Sequence, residues 1–239
     1  MKNHSIAQDQ YNKHYPMHRI LSFVSRNSHC TKGQKRAIAQ LWPQMGIEYQ
    51  CKPIEFNDVF GRAAPVVLEI GFGMGSSLVD MAKCNPKKNF LGIEVYKPGV
   101  GACLIRARAE YITNLRIICH DAVAVLETMV RSGTLDVVQI FFPDPWQKRR
   151  HNKRRIVQAQ FAQLVLKKLQ LGGTFHMVTD CESYANHMLM VMNVVSGYQN
   201  QSKNGAWIQR PAFRPYTKFE QKGKQLGHQI WELMFKRVI

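Results

Sequence analysis

The sequence predicts an α/β fold in which helices flank a mostly parallel sheet, and two observations support this prediction. From Pro65 onward, short apolar runs that end in glycine or an acid alternate with longer segments of helical spacing. This alternation is typical of βαβ units, which place consecutive strands parallel to each other. The length of 239 residues, with 45% hydrophobic content, is also enough for one domain with a full core and short for two.

The apolar runs define the individual strands. Five runs predict parallel strands at residues 66–70, 89–94, 115–119, 135–142 and 174–178, and a sixth run predicts one more strand at 229–235. Before the fifth strand, apolar residues recur at helical spacing from Val157 to Leu169. We expect Gly172 and Gly173 to end that helix and to start the strand.

Residues 1–60 differ from the rest of the chain because they are polar and basic. They predict a partly flexible N-terminal arm attached to a domain of residues 61–239. Within the arm, the spacing of Ala37, Ile38 and Leu41 predicts one helix. Thr31 would cap its start, and Pro43 would end it.

The charge balance is strongly basic. Thirty-three Lys and Arg residues against sixteen Asp and Glu residues give a formal net charge of +17, which favours a polyanionic partner such as nucleic acid or an anionic membrane. The apolar runs are too short to span a bilayer, and the N-terminus lacks the apolar core of a secretion signal. We therefore expect a cytoplasmic protein that acts as a monomer rather than as an obligate oligomer, without membrane contact.

The six cysteines lie far apart and form no Cys-x-x-Cys pair. This spacing indicates free, reduced thiols rather than a disulfide framework, and it predicts no metal site.

A glycine-rich turn follows the first predicted strand. Gly71, Gly73 and Gly75 are spaced G-x-G-x-G, with Ser76 where a dinucleotide-binding G-x-G-x-x-G loop has its last glycine. Glu69 at the strand end would repel a pyrophosphate, but it suits a ligand with an ammonium and a sulfonium, such as S-adenosylmethionine. The alternative is an ordinary tight turn between a strand and a helix.

Acids also follow the second and third predicted strands. Glu94 lies 21 residues after Gly73, a spacing at which nucleoside-binding folds use an acid to accept hydrogen bonds from ribose hydroxyls. Asp121 follows the third strand, where its carboxylate would accept a hydrogen bond from the exocyclic amino group of adenine. It also precedes a helical stretch, so it can act as a helix cap as well.

The fourth strand ends in Pro143-Asp144-Pro145-Trp146, and the two prolines stiffen the backbone on either side of the acid. Rigid placement of Asp144 suits a catalytic site, since methyl transfer depends on alignment and on charges placed in advance. The alternative is a structural turn.

A basic run lies directly behind this segment, with six formal positive charges between Lys148 and Arg155. At the start of a helix such a run opposes the macrodipole and repels itself, so a bound phosphate would explain it better than a solvated helix start. A nuclear-localisation or heparin-type patch is the competing interpretation. Further along, residues 210–223 mix cations, aromatics and prolines, as base-stacking loops do.

Together, residues 69–75, 92–94, 119–122, 143–155 and 217–220 resemble the bacterial tRNA (guanine-N7)-methyltransferases of the TrmB family over nearly the whole chain. The resemblance implies a Rossmann-like class I methyltransferase fold with a mostly parallel seven-stranded sheet and helices on both faces. It also implies methyl transfer from S-adenosylmethionine to N7 of guanine 46 in the variable loop of tRNA.

The resemblance also implies roles for individual residues. The cofactor would be bound by Glu69, Gly71, Gly73, Glu94, Asp121 and Asp144. The substrate would be bound by Lys148, Asp180, Thr217, Lys218, Phe219 and Glu220, and RNA would contact Arg150, His151, Asn152, Lys153, Arg154 and Arg155. The chain departs from the family pattern in two places: His29-Cys30 replaces a Gly-Arg pair, and Cys181 replaces an aromatic residue.

Asp144 is the candidate catalytic residue, and the chemistry of N7 defines its role. Guanine N7 has a lone pair and no proton, so it can attack the methyl carbon without a general base. We therefore expect the Asp144 carboxylate to stabilise the positive charge that develops on the purine. Two alternatives stay open: an amino-methyltransferase that acts on another RNA base, and an RNA-binding module without catalysis.

Overall fold

A computed structural model describes residues 20–24, 29–217, 220, 227 and 229–239. In these residues one seven-stranded sheet has the order β3-β2-β1-β4-β5-β7-β6. The strands are β1 (Val66–Ile70), β2 (Asn89–Ile93), β3 (Leu115–Ile118), β4 (Leu135–Phe141), β5 (Leu169–Thr179), β6 (Tyr198–Asn200) and β7 (Trp231–Arg237). Strands β1 to β5 pair in parallel, whereas β7 is antiparallel to both β5 and β6.

Helices cover both faces of this sheet. They are α1 (Lys32–Met45), α2 (Phe56–Phe60), α3 (Ser76–Cys84), α4 (Lys97–Ala109), α5 (Ala122–Thr128), α6 (Ala159–Lys168) and α7 (Glu182–Val194), with a 3₁₀ helix at Arg149–Arg154. Buried residues of α5, α6 and α7 form one hydrophobic cluster with the sheet. Those of α1, α3 and α4 form a second cluster. The predicted α/β fold, with a mostly parallel seven-stranded sheet between two helical layers, is confirmed.

The predicted strands match β1 to β4 to within one residue, the sixth predicted strand begins two residues before β7, and no apolar run predicts β6. The largest difference is at the start of β5. That strand begins at Leu169, and α6 ends at Lys168, so the prediction that the helix continues to Gly172 is wrong. Leu169 pairs with Leu135 of β4, and both glycines lie inside the strand beside a register shift. A Cβ at Gly173 would lie 2.9 Å from the Gln170 carbonyl oxygen, which explains the need for glycine there.

Helix α1 begins as the sequence predicts. The Thr31 hydroxyl accepts a hydrogen bond from the Gln34 amide, and the Gln34 side chain accepts one from the Thr31 amide, which forms a capping box. The helix continues through Pro43 to Met45, so its predicted end is wrong. The amide of Gly46 donates to the Trp42 carbonyl and closes the last turn.

Helix α1 packs against α4 and buries Ala37, Leu41 and Met45. Gly101 of α4 permits this contact, since a Cβ there would lie 2.7 Å from the Gln34 Cβ. Part of residues 1–60 thus belongs to the helical layer over the sheet, and the domain boundary at residue 60 stays a prediction. Among the helices of the described ranges, none combines the length and apolar character needed to cross a bilayer.

Candidate active site

The carboxyl ends of the five parallel strands meet at one edge of the sheet, and each end carries an acid. Glu69 lies in β1, and Glu94, Asp121, Asp144 and Asp180 follow β2, β3, β4 and β5. Ligands of open α/β sheets bind at this edge. The topology therefore brings together residues that are spread over more than 100 positions of the sequence.

The glycine turn between β1 and α3 presents open backbone at this edge. Gly71 and Gly73 have φ angles of 74° and 57°, and a Cβ at either position would meet no atom within 4 Å. The other side of the turn is tightly packed: a Cβ at Gly75 would lie 2.4 Å from the Cys103 Sγ. A Cβ at Gly99 would lie 2.1 Å from the Gly73 carbonyl oxygen. The turn is thus held against α4, while its other face is available to a ligand.

Glu94 connects this turn to the end of β2. Its carboxylate accepts hydrogen bonds from the amides of Gly73, Val95 and Tyr96 at 2.8, 2.7 and 3.0 Å. Burial raises the pKa of Glu94, and the backbone hydrogen bonds oppose this effect. A carboxylate offers about four lone-pair sites, so Glu94 keeps acceptor capacity for hydroxyl groups of a ligand.

Glu69 is only 2% exposed and accepts one hydrogen bond, from the Gln139 side chain at 2.9 Å. Burial raises the pKa of Glu69 to about 7, and the nearby charge of Glu94 adds to the rise while Gln139 opposes it. The carboxylate therefore titrates close to neutral pH, and a cation placed near it would favour its ionised form.

Asp121 caps helix α5. Its carboxylate accepts a hydrogen bond from the Ala124 amide at 2.9 Å, so the helix-cap interpretation is confirmed, whereas the contact with adenine stays a prediction. Beside it, the ring of Tyr49 stacks on His120 with the ring centroids 3.7 Å apart. The sequence gives no signal for Tyr49, which is an isolated aromatic residue in a polar stretch.

The Asp144 loop (Pro143–Trp146) follows β4 and exposes the Asp144 side chain. Phe142 and Trp146, on either side of Asp144, both have left-handed backbone angles, with φ of 51° and 47°. Bulky residues adopt this conformation only when their surroundings enforce it. The amide of Trp146 donates to the Asp144 carboxylate at 3.2 Å. This geometry agrees with the rigid placement that the prolines predict.

Trp146 makes contacts on three sides. Its indole N–H donates to the Ser22 carbonyl at 3.2 Å, which brings the described part of the N-terminal segment to this loop. The guanidinium of Arg154 lies over the indole, 4.9 Å from the ring centroid. The His151 ring approaches the indole edge-on at 5.9 Å.

The basic run forms the 3₁₀ helix and not the start of α6, which begins at Ala159. Lys148, Arg150 and Lys153 are exposed, and Arg154 is partly exposed. Partial burial and the positive charges of Arg150 and Arg154 lower the pKa of His151. Most of the run therefore presents cations to solvent beside the Asp144 loop.

Arg155 is the exception in this run, because its side chain points inward and is 4% exposed. Its guanidinium donates to the Pro145 carbonyl at 2.9 Å, and to the carbonyl and hydroxyl of Ser183 at 3.2 and 3.1 Å. It also lies over the Tyr184 ring at 4.8 Å. The donors of this guanidinium are thus directed into the protein, and the RNA contact of Arg155 stays a prediction.

Glu220 is also buried, at 1% exposed, although the resemblance implies a substrate contact. Arg214 donates to both Glu220 oxygens, at 2.7 and 3.1 Å, and to both Glu232 oxygens, at 2.9 Å each. His176 lies 2.6 Å from Glu232 and completes the buried cluster. Glu220 therefore anchors the loop that carries Thr217, whose hydroxyl accepts from the Glu220 amide. The sequence does not indicate Arg214 or Glu232 as partners.

The other predicted substrate residues have different placements. Lys148 and Asp180 are exposed, and Thr217 is partly exposed. Lys218 and Phe219 lie outside the described residues. The Cys181 Sγ lies 3.4 Å from the Ser183 hydroxyl at the start of α7. All six cysteines are free, and the described residues contain no group of three or more His, Cys, Asp or Glu side chains suited to a metal ion.

Comparison with known proteins identifies the family. A family model with the description "Putative methyltransferase" matches residues 63–233. The tRNA (guanine-N(7)-)-methyltransferase of Cronobacter sakazakii is 60% identical over 238 residues, which cover all of both chains. The chain belongs to the tRNA (guanine-N(7)-)-methyltransferase family. Relatives of the same name from Klebsiella pneumoniae and Aeromonas hydrophila are 58% and 57% identical, the latter over 98% of this chain and 99% of its own.

Solved structures agree on the fold of this methyltransferase. The 16S rRNA (adenine(1408)-N(1))-methyltransferase from Catenulisporales acidiphilia superposes with a TM-score of 0.56 over 82% of this chain and 98% of its own, at 13% identity. The aminoglycoside resistance methyltransferase NpmB1 superposes with a TM-score of 0.53 over 80% of this chain and 95% of its own, also at 13% identity. The family resemblance and the Rossmann-like class I methyltransferase fold are both confirmed.

Proposed function

We propose that this enzyme transfers a methyl group from S-adenosylmethionine to N7 of guanine 46 in the variable loop of tRNA, in the cytoplasm and as a monomer. The observation that carries the proposal is that residues suited to the cofactor and residues suited to RNA lie at the same edge of the sheet. The glycine turn with Glu69, Glu94 and Asp121 lies on one side, and the Asp144 loop with the exposed cations lies on the other. The identity of 60% over the full length supports the same reaction.

The residues at the first three strand ends suit the parts of S-adenosylmethionine. Glu94 retains acceptor sites for ribose hydroxyls beside the open glycine turn. The adenine amino group is assigned to the Asp121 carboxylate, which follows β3 and also caps α5. Glu69 contributes negative charge for the cationic methionine end. When bound, the cofactor supplies an electrophilic methyl group on a positively charged sulfur.

In this proposal Asp144 acts through charge and not as a base. The N7 lone pair attacks without loss of a proton, and the purine becomes positively charged as the methyl group arrives. A carboxylate held in advance by a strained loop stabilises that charge without having to reorient. The hydrogen bond from the Trp146 amide fixes one Asp144 oxygen and leaves the other for the substrate.

The exposed part of the basic run suits the phosphates of tRNA. We assign phosphate contacts to Arg150, His151, Asn152, Lys153 and Arg154, which lie beside the Asp144 loop with exposed or partly exposed side chains. Lys148, Asp180 and Thr217 are assigned to the target nucleotide, because each lies on a segment next to the acid-bearing edge.

Nucleoside analysis tests the proposed function. Unmodified tRNA is incubated with the enzyme and methyl-labelled S-adenosylmethionine, and the digested nucleosides are identified by mass spectrometry. We expect 7-methylguanosine, located at guanine 46 by mapping the modified tRNA. Label in an amino-methylated adenosine or cytidine would support the amino-methyltransferase alternative. No heat of cofactor binding in calorimetry would support a non-catalytic RNA-binding module.

A further inference from the structure

Arg155 ends the basic run, but its position differs from that of its neighbours. Lys148, Arg150 and Lys153 extend into solvent, whereas Arg155 is 4% exposed. Burying a cation is costly unless its donors are satisfied. In the structure each of the three guanidinium nitrogens of Arg155 donates one hydrogen bond to a neutral oxygen, and the group also lies over an aromatic face. A buried arginine built into such a set of contacts serves the protein and not a surface ligand.

The acceptors of Arg155 belong to two strand ends. One is the carbonyl of Pro145, the residue after Asp144, and the other two are on Ser183, three residues after Asp180. The guanidinium thus bridges the loop after β4 and the first turn of α7 after β5. Because this group is rigid and planar, its donors fix the separation and orientation of both segments at once.

The Asp144 loop needs such a restraint. The left-handed angles of Phe142 and Trp146 are unfavourable for bulky residues and persist only where surrounding contacts enforce them. Within the loop, the hydrogen bond from Trp146 to Asp144 is local and moves with the loop. The bond from Arg155 to the Pro145 carbonyl instead connects the loop to the first turn of α7, through the bonds of the same guanidinium to Ser183.

We propose that Arg155 is a positioning residue for methyl transfer: it holds the Asp144 loop against α7 and thereby places the Asp144 carboxylate. The proposal rests on the proposed function only for the role of Asp144. It removes Arg155 from the predicted RNA contacts, since a phosphate contact would break three internal hydrogen bonds and the stacking on Tyr184.

Kinetics of matched variants test this proposal. Arg155→Gln removes the charge and most of the donors. Arg155→Lys keeps the charge but lacks the planar set of guanidinium donors, and Arg150→Gln removes an exposed cation of the same run. Calorimetric titration with S-adenosylmethionine counts the folded sites, so kcat is expressed per binding site. We expect Arg155→Gln to lower kcat by about 10- to 100-fold, the cost of a small misplacement of a catalytic group. KM for tRNA should stay within about twofold, and Arg155→Lys should recover only part of kcat.

The salt dependence of tRNA binding separates positioning from phosphate contact. Arg150→Gln should make the slope of log affinity against log salt shallower by about one unit, because one phosphate contact is lost. Arg155→Gln should leave this slope unchanged. A shallower slope in Arg155→Gln, or an unchanged kcat, would overturn the proposal.

A spectroscopic readout keeps the test independent of activity. With 5-fluorotryptophan incorporated, the ¹⁹F resonance of Trp146 is assigned from Trp146→Phe. We expect it to shift in Arg155→Gln while that of Trp42, which lies on α1 and packs against the second hydrophobic cluster, does not. If the wild type methylated no RNA, the proposed function would fail, and the Trp146 resonance alone would decide the role of Arg155. A Trp146 resonance that does not shift would overturn that role.

Ser183→Ala covers the possibility that Arg155→Gln does not fold. This variant removes one acceptor of the guanidinium and leaves Asp144, Asp180 and the exposed cations intact. Loss of one hydrogen bond should lower kcat by roughly 2- to 10-fold and shift the Trp146 resonance in the same direction. No change in either quantity would contradict the bridge between the two strand ends.

Discussion

The two halves of the acid-bearing edge differ in how their residues are held. At β1 to β3, the backbone positions the acids and the turn. Glycine φ angles open the turn, Glu94 accepts hydrogen bonds from three backbone amides, and Asp121 caps a helix. At β4 to β7, buried arginines position the loops: Arg155 donates a hydrogen bond to the Asp144 loop, and Arg214 binds Glu220 in the loop that carries Thr217. The half proposed for the cofactor thus depends on chain geometry, and the half proposed for RNA depends on tertiary ion and hydrogen-bond contacts.

The buried arginine cluster should show the largest effect on stability. Arg214→Met removes the cation that the buried Glu220 and Glu232 share and leaves them only the contacts with Arg210 and His176, so we expect the free energy of unfolding to fall by roughly 3–5 kcal/mol. Urea denaturation measures it. Arg131→Met is the matched control, because the pair of Arg131 with Glu55 is exposed and its loss should cost less than about 1 kcal/mol. If both variants lost the same free energy of unfolding, the buried arginine cluster would stabilise the fold no more than an exposed ion pair does.

Glu69 should give the next effect, a pH-dependent stability. Its pKa is raised above the unfolded value of 4.5 to about 7, so the folded state binds the proton more tightly. The stabilisation is full below pH 4.5 and is lost as pH rises through 7, by about 1.4 kcal/mol per pH unit. Between pH 4.5 and 7, the free energy of unfolding of the wild type should therefore fall by roughly 3 kcal/mol relative to that of Glu69→Gln. Parallel stability curves for the two proteins would show that Glu69 does not titrate in this range.

The same residue should make cofactor affinity depend on pH in the opposite sense. Ionised Glu69 attracts the cationic cofactor, so affinity should rise by up to about tenfold from pH 6 to pH 8, across the pKa of about 7. Calorimetry with wild type and Glu69→Gln separates this effect from titration of the ligand itself, because both proteins bind the same ligand. A dependence that persists in Glu69→Gln would place its origin elsewhere.

The exposed cations should show the smallest effect per residue. Lys153→Gln should weaken tRNA binding almost equally for different tRNAs and make the salt slope shallower by about one unit. Lys87→Gln is the matched control, because Lys87 is exposed just before β2, at the opposite edge of the sheet. Equal effects of the two substitutions would mean that the affinity reflects net charge and not a local site.

These differences also explain what the sequence could and could not predict. Glu94, Asp121 and Asp144 follow apolar runs, so their place at the sheet edge results from the βαβ pattern alone. Arg155 and Arg154 are indistinguishable in sequence, yet one is buried and the other contacts Trp146 near the surface, because burial depends on the packing of α7. Glu220 and Glu232 find a common partner only when β7 joins β5. The early start of β5 likewise depends on pairing with β4, which local spacing does not reveal.

Asp144→Asn tests the central claim most directly, since it keeps the shape of the side chain and removes the charge. Single-turnover methylation of tRNA and calorimetric affinity for S-adenosylmethionine are measured on the same preparation. We expect the methylation rate to fall by about 100- to 1,000-fold, as when an electrostatic group of a transition state is removed, with cofactor affinity changed by less than about tenfold. A full methylation rate with unchanged cofactor affinity would contradict the role of the Asp144 charge.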